Sequence, residues 1–357
     1  MSLRSIARLA FAGLLGFSVM LPAPVAATVT RTAAVGTAPL QPGIQMDFVS
    51  VSWRGPSKRG AIRFQRADRW TRWRVLPVGD TGRGGRVTSA LVPARRAQAV
   101  QVRLPRGATD GQAVAIDASS PRYGRAKADA ARVMTPVGPI CYLSRAAWGA
   151  DETLRGADPP AYFPIQALTV HHTATANDDP DPAATVRAIY AQHVVANGFA
   201  DIGYQLLVDE RGCVYEGRAS GEDGLPVFAG LPLPGQPLLA VNGAHAVGFN
   251  AGNVGIALLG DFTDRAPTPQ ALRTLVGVLA ALSFVSGLDP AGQVEYVNPI
   301  SGATLTVEAI AGHRDWNPTE CPGDRLYELL PAVRARVARL VASITPARRF
   351  GRRSLSL

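Results

Sequence analysis

The stretch Ala167-Leu-Thr-Val-His-His-Thr-Ala174 decides the fold of the second half of the chain. Its first four residues are suited to a fully buried strand, and two histidines follow that strand directly. Asp181-Pro182 then places a capping carboxylate before a proline at the first helical position, which predicts a helix to about Asn197. A buried strand connected to a helix is typical of an α/β domain.

Strands and helices continue to alternate through the rest of this half, which predicts a mixed central β-sheet with flanking helices. The loop over one edge of the sheet is predicted at residues 219–241, where prolines accumulate. The other predicted elements are a strand pair at Tyr204–Val208 and Val214–Glu216, a strand at Val254–Leu259, and capped helices at Pro269–Ser286 and Asp324–Ile344.

The first half predicts a separate, small and mostly β domain. Short alternating segments recur there at roughly 8–12-residue intervals between Gly, Pro and Asp clusters, which favours a sandwich. These segments are Met46–Trp53, Ala61–Phe64, Trp70–Val75, Ala99–Leu104 and Ala113–Ile116. The predicted organisation is a signal peptide at 1–27, a basic β-rich domain at 28–117, a linker at 118–140, the α/β domain at 141–345 and a basic tail at 346–357.

Charge is divided between the two halves of a chain whose net charge is +10. Residues 28–139 contain 19 basic and 6 acidic side chains, whereas residues 140–345 contain 12 and 21. Arginines on the polar phase of the strands, near Trp53, Trp70 and Trp73, favour a face that binds an anionic wall polymer. The alternative is a solvated sheet surface. Nucleic acid fits the charge, but export makes it a poor partner.

The N-terminus has the features of a secretory signal peptide. Arg4 and Arg8 precede the 13-residue apolar run Leu9–Leu21, and Val25–Ala27 provides the small residues for cleavage after Ala27. Thirteen helical residues span about 20 Å, which is less than the ~30 Å hydrocarbon core. Because no later segment looks long and apolar enough to span a bilayer, the sequence predicts a secreted or wall-associated protein without stable membrane insertion.

Metal-binding residue types concentrate in the second half, which contains all five histidines. His313 and Cys321 are eight residues apart across a proline-containing loop, and a third ligand from Val170-His-His-Thr173 would complete a His₂Cys set. Three protein ligands leave a position open for water, as in a catalytic zinc site. Two alternatives stay open from the residues alone: Cys321 as a nucleophile with His313 as its base, or Cys321 in a disulfide.

Six motifs follow one another in a specific order over roughly residues 141–335. They are Ser144-Arg-Ala-Ala-Trp-Gly149, Val170-His-His-Thr-Ala174, Asp201-Ile-Gly-Tyr204, Val214-Tyr-Glu-Gly-Arg218, Gly243-Ala-His245, and Gly312-His-Arg-Asp315 followed by Pro318-Thr-Glu-Cys-Pro-Gly323. In order and spacing they resemble the peptidoglycan recognition protein and type 2 N-acetylmuramoyl-L-alanine amidase family. The signal peptide and the basic leader are similar to those of secreted bacterial members.

The resemblance implies a zinc enzyme that hydrolyses the amide bond between N-acetylmuramic acid and the L-alanine of the peptidoglycan stem peptide. It assigns the Zn²⁺ ligands to His171, His313 and Cys321. Tyr204 matches the residue that hydrogen-bonds the attacking water or the substrate, and Thr319 matches the position that stabilises the oxyanion. The alternative is a recognition protein of the same fold that binds peptidoglycan without cutting it, although such members typically lack the cysteine.

The remaining polar residues of the motifs have secondary predicted roles. Successive strand residues point to opposite faces, so His172 is predicted to pack beside the ligands or to line the substrate groove. His245 and Asn250 are predicted in the same groove, bordered by the 24-residue insertion that follows Arg218. If Cys321 binds metal, Cys141 and Cys213 are left as an even pair that an oxidising compartment would allow to bridge. A zinc peptidase lacks support because the chain has no His-Glu-x-x-His motif.

Overall fold

The computed structural model of the protein describes residues 28–81, 83–118, 131–135, 138–221, 225–230 and 236–344. The predicted signal peptide (1–27) and basic tail (346–357) lie outside the described residues.

The first half forms two antiparallel sheets that pack as a sandwich. One sheet has the order β1-β10-β2-β7-β6 with β8 also paired to β2, and the other has the order β4-β3-β5 with β9 also paired to β3. The strands are β1 (Val29–Ala34), β2 (Met46–Arg54), β3 (Gly60–Arg66), β4 (Arg69–Trp70), β5 (Arg74–Leu76), β6 (Val78–Thr81), β7 (Val87–Ser89), β8 (Val92–Ala97), β9 (Ala99–Arg103) and β10 (Thr109–Asp117).

Alternating residues of the two sheets fill the sandwich core, among them Val49, Val51, Ile62 and Phe64. Trp53 is completely buried in this core. It occupies the inward phase of β2 and is therefore not part of the sheet surface that carries the arginines.

The second half is built on one mixed seven-stranded sheet, as predicted, with the order β11-β12-β16-β15-β18-β14-β21. Strands β14, β18 and β15 run parallel to one another, and β21 runs parallel to β14. The strands of this half are β11 (Ala131–Thr135), β12 (Gly138–Leu143), β13 (Tyr162–Pro164), β14 (Ala167–His172), β15 (Leu206–Val208), β16 (Cys213–Glu216), β17 (Leu239–Val241), β18 (Asn253–Leu258), β19 (Gln293–Val297), β20 (Thr304–Glu308) and β21 (Ile310–Gly312).

Helices cover both faces of this sheet. They are α1 (Arg145–Trp148), α2 (Pro182–Ala191, continued by a π turn at Gln192–Ala196), α3 (Pro269–Ser286) and α4 (Asp324–Ile344). Asp181 and Thr268 cap α2 and α3 through their side-chain oxygens, each before a proline in the first turn. Apolar residues of α3 and α4 pack on one face of the sheet, and those of α2 pack on the other.

Two sequence expectations about segments differ from the structure. Residues 131–135, assigned to the linker, form strand β11, which pairs with β12 at the edge of the large sheet. The expectation that no later segment is long and apolar enough to span a bilayer is also wrong. By length and composition alone, α3 is long and apolar enough. However, 61% of that window is buried inside the protein, since a helix packed between a sheet and a second helix is apolar over most of its circumference.

The two domains share a hydrophobic core. Val114 and Ile116 of β10 pack in the same cluster as Val186 and Ile189 of α2. Polar contacts reinforce this contact: the Arg187 guanidinium donates to the carbonyl oxygen of Ala118 at 2.9 Å and to that of Trp148 at 2.7 Å. The apolar contact fixes the sandwich against the α/β domain, because separating them would expose these side chains to water.

A disulfide joins Cys141 and Cys213 across the parallel strands β12 and β16, where the two residues stand directly opposite each other. The bridge closes a segment with a sequence separation of 72. Replacing both cysteines, as Cys141→Ser with Cys213→Ser, is expected to lower the free energy of unfolding by about 4 kcal/mol, because the unfolded chain regains loop entropy. Urea unfolding followed by circular dichroism measures this loss.

Cys321→Ser is the matched control when all proteins are unfolded in the presence of a chelator, since it removes a thiol and keeps the bridge. A double variant as stable as this control would show that the bridge does not stabilise the fold.

Candidate metal centre

Parallel strand pairing brings two histidines to the same edge of the large sheet. Val170 of β14 stands opposite Gly312 of β21, so His171 and His313, each one residue further along, are neighbours at the carboxyl ends of the strands. Their ring centroids are 4.6 Å apart, and both side chains are buried. Carboxyl ends of parallel strands are where α/β sheets place their sites.

A closed loop returns Cys321 to these histidines. The backbone N–H of Arg314 donates to the carbonyl oxygen of Cys321 at 3.1 Å. The Arg314 side chain donates to the carbonyl oxygen of Glu320 and to the carboxylate of Asp324. The loop therefore has a defined path, and the cysteine reaches the sheet edge although it is eight residues from His313.

One nitrogen or sulfur atom from each of His171, His313 and Cys321 lies within 4.8 Å of the others. Cys321 Sγ is 3.6 Å from His171 Nδ1. Tetrahedral zinc, with bonds of about 2.3 Å to sulfur and about 2.0 Å to nitrogen, separates two such ligands by about 3.6 Å. The backbone N–H of His172 donates to Sγ at 3.4 Å, which helps to hold the sulfur in place. The residues present therefore fit a zinc ion.

A relay of hydrogen bonds behind His171 determines which of its nitrogens faces the cysteine. His245 Nε2 lies 3.1 Å from the carbonyl oxygen of Asn253, which can only accept, so this nitrogen carries the proton. His245 Nδ1 is then an acceptor, and it lies 3.0 Å from His171 Nε2, which must donate. This leaves the lone pair of His171 Nδ1 directed at Cys321, as a metal ligand requires.

Two glycines make room for the His245 ring. A Cβ added at Gly243 would lie 2.5 Å from His245 Cδ2, and one at Gly255 would lie 2.6 Å from the same atom. Gly255 is in the middle of β18, where glycine otherwise weakens a strand. The close approach of the imidazole explains its presence there.

Burial keeps both relay histidines neutral. Loss of hydration lowers the pKa of His171 well below its usual range, and the neighbouring histidines lower it further. Burial likewise lowers the pKa of His245 to about 3, although the hydrogen bond to Asn253 opposes this shift. Neutral imidazole is the form that binds metal.

Two of the three candidate ligands, His313 and Cys321, line a cleft of about 830 Å³. His172, Tyr204, His313, Thr319 and Cys321 line it. The ring centroid of Tyr204 is 5.1 Å from that of His171. The cleft therefore brings together two of the predicted ligands and the two predicted catalytic side chains, and the third predicted ligand, His171, packs against Tyr204 and His313.

The structure does not place His245 and Asn250 in this groove. His245 is buried behind His171, and the side-chain oxygen of Asn250 accepts hydrogen bonds from the backbone N–H groups of His245 and Ala246. Neither side chain lines the cleft, because both are engaged by these partners in the Gly243–Asn253 segment. The described residues of 219–241 are absent from the cleft as well; Val227 and Phe228 pack in the same hydrophobic cluster as α3.

Comparison with known proteins places the α/β domain in a family. Residues 161–324 match the N-acetylmuramoyl-L-alanine amidase family. The human N-acetylmuramoyl-L-alanine amidase is 32% identical over 190 residues, which is 52% of this chain and 27% of the human protein. Peptidoglycan-recognition protein LB of Drosophila melanogaster is 29% identical over 190 residues, which is 52% of this chain and 65% of that protein. Its wild-type structure matches at a TM-score of 0.38 and 29% identity, over 53% of this chain and 91% of that chain.

A mixed α/β domain in which two histidines and a cysteine converge beside a cleft defines the class. Through this domain the chain is similar to N-acetylmuramoyl-L-alanine amidases and to peptidoglycan recognition proteins. The resemblance of the sequence motifs is thereby confirmed. The chain spans 27% and 26% of the length of the human and pig amidases.

The relay predicts that His245 controls zinc affinity without touching the ion. His245→Leu removes the acceptor for His171 Nε2 and is expected to weaken zinc binding about 10- to 100-fold, as for other groups that orient metal-bound histidines. Competition with a chromophoric chelator measures the affinity of the purified protein.

His193→Leu is the matched control for this variant. His193 is equally buried, but its Nδ1 accepts from the backbone N–H of Gly203 at 2.9 Å rather than contacting His171. Equal zinc affinity of the His245 variant and the wild type would contradict the relay.

Proposed function

We propose that the α/β domain is a zinc-dependent amidase that hydrolyses the bond between N-acetylmuramic acid and the L-alanine of the peptidoglycan stem peptide. The observation that carries the proposal is the convergence of His171, His313 and Cys321 beside an open cleft that the last two line. A zinc ion held by three protein ligands keeps one position for water, lowers the pKa of that water to about 7 and polarises a carbonyl.

Tyr204 is the residue we assign to orienting the attacking water. Its loop is fixed from two sides: the guanidinium of Arg145 lies 3.2 Å from the carboxylate of Asp201, and the Gly203 N–H donates to His193. The rings of His193 and Tyr204 are 5.5 Å apart. A phenol held this firmly beside His171 enters the reaction with little reorganisation.

Thr319 and His172 are the residues we assign to the oxyanion that forms on the scissile carbonyl. The Thr319 hydroxyl oxygen accepts from the Cys321 N–H at 3.2 Å, so its own hydrogen can be donated into the cleft. His172 Nδ1 accepts from the backbone N–H of Phe262 at 3.2 Å, which places the proton on Nε2. His172 also lines the cleft, so it adds a second donor to the one that the sequence motifs indicate.

The alternative function is peptidoglycan recognition without hydrolysis, since relatives of both kinds match the chain. The ligand set favours the enzyme. A recognition site needs no thiol aligned with two buried imidazoles, and burying two imidazoles side by side is costly unless they bind an ion.

The amidase is tested by the release of new N-terminal alanine from purified peptidoglycan, using the protein from Thr28 onward. Chelation is expected to abolish release and added zinc to restore it. Cys321→Ala is expected to lose both zinc and activity, because it removes a ligand. Tyr204→Phe is expected to keep zinc and lose about 100-fold or more in turnover, in the range found when one transition-state contact is removed.

An active, zinc-free Cys321→Ala protein would refute the metal mechanism. Zinc-loaded wild-type protein that binds the wall and releases no alanine would establish the recognition function instead.

Export to the cell wall is part of the same proposal. The disulfide between Cys141 and Cys213 supports it, because disulfides persist in oxidising compartments. The basic sandwich offers a retention surface: Arg63 lies 4.7 Å from the ring centroids of both Trp70 and Trp73, and Arg103 lies 4.1 Å from that of Trp73. We assign this array to an anionic wall polymer.

Retention by an anionic polymer predicts salt-sensitive binding to purified walls. The protein is expected to sediment with intact walls at low salt and to stay in solution at about 1 M salt, where the Debye length is only about 3 Å. Walls from which the anionic polymer has been extracted should retain much less protein. Equal sedimentation with extracted walls would contradict the assignment.

A further inference from the structure

The sandwich domain forms one wall of the cleft that contains the candidate metal centre. Residues 57–59 of the β2–β3 loop, 77–79 and 89–91 line the cleft together with Tyr204 and Cys321. The substrate site therefore extends beyond residues 161–324, which are the part that matches the amidase family.

The β2–β3 loop is held in a fixed shape. The indole N–H of the buried Trp53 donates to the carbonyl oxygen of Pro56 at 2.9 Å, and the backbone N–H of Lys58 donates to the same oxygen at 2.9 Å. Gly55 has a φ of +117°, and a Cβ there would lie 2.8 Å from the carbonyl oxygen of Gly107. The glycine gives the loop a backbone conformation at the end of β2 that residues with a side chain rarely adopt.

Hydrogen bonds also connect the sandwich wall of the cleft to the wall formed by the α/β domain. The side-chain amide of Gln192, from the π turn after α2, donates to Ser50 Oγ at 3.0 Å and to the carbonyl oxygen of Ser89 at 2.8 Å. Gln192 itself lines the cleft. Ser50 and Ser89 belong to the sandwich, so this buried amide joins the two walls at the bottom of the groove.

The two walls carry opposite charge. Lys58 and Arg59 are exposed on the sandwich side, and neither forms an ion pair within the described part of the chain. Asp261, Asp264 and Glu320 line the other side. Cations that face a cleft without a partner are suited to binding an anionic group of a ligand, and arginine in particular binds carboxylates through paired hydrogen bonds.

We propose that Lys58 and Arg59 bind a free carboxylate of the peptide stem, so that the sandwich domain completes the substrate site. The inference rests on the proposed function, since it takes the stem peptide as the ligand. The sandwich domain would then contribute to substrate selection as well as to retention on the wall.

The test compares two soluble muramyl peptides, one with free stem carboxylates and one with these groups converted to carboxamides. Calorimetry measures their binding to the zinc-loaded protein in a Tyr204→Phe background, so that the ligand is not consumed. The acid is expected to bind about tenfold or more tightly than the amide. Lys58→Ala with Arg59→Ala is expected to remove this preference by weakening the binding of the acid alone.

Arg69→Ala with Arg72→Ala is the matched control, because it removes the same charge from exposed positions of the same domain that do not line the cleft. A preference for the acid that survives in the Lys58/Arg59 variant, or that is lost equally in the control, would overturn the inference.

Equilibrium binding separates the inference from the proposed function. Wild-type protein that releases alanine but has the same carboxylate preference as the Lys58/Arg59 variant would overturn only the inference. Protein that prefers the acid through Lys58 and Arg59 but never releases alanine would overturn only the amidase.

Discussion

The parallel pairing of β14 with β21 is the constraint on which the site depends. It sets Val170 opposite Gly312, so two histidines far apart in the sequence leave the sheet at the same edge. A shift of this register by one residue would turn the His171 side chain to the opposite face. The face it occupies holds the relay to His245, whereas the opposite face is packed against α3 and α4.

Several imidazoles around this centre lose their hydration because they are buried. A hydrogen bond with the backbone replaces water at three of them. His245 is satisfied by the Asn253 carbonyl, His172 by the Phe262 N–H and His193 by the Gly203 N–H. Each bond also selects a tautomer, and the selected tautomers suit the roles of ligand support and proton donation. A buried cluster with these properties is typical of functional sites.

Features that depend on neighbouring residues in the sequence were predictable, whereas features that depend on contacts between distant segments were not. Capped helices such as Pro269–Ser286 were predictable because the capping oxygen and the proline are adjacent. The ligand set followed from motifs that resemble a known family. The role of His245 was not predictable, since it arises where the Gly243 turn meets β18; the glycine inside that strand, Gly255, was the available signal. The docking of the sandwich on the α/β domain was not predictable for a similar reason. Val114 and Ile116 alternate as sandwich residues do, yet they pack against α2.

The measurement that tests the central claim most directly is X-ray absorption at the zinc edge of the loaded protein. The account predicts one sulfur at about 2.3 Å and two imidazole nitrogens at about 2.0 Å, with the fourth position filled by a light atom of the solvent or substrate. The sulfur signal should disappear in Cys321→Ala and persist when Cys141 and Cys213 are replaced. A zinc environment without sulfur in the wild type would contradict the assignment of Cys321, and with it the reaction proposed for the cleft.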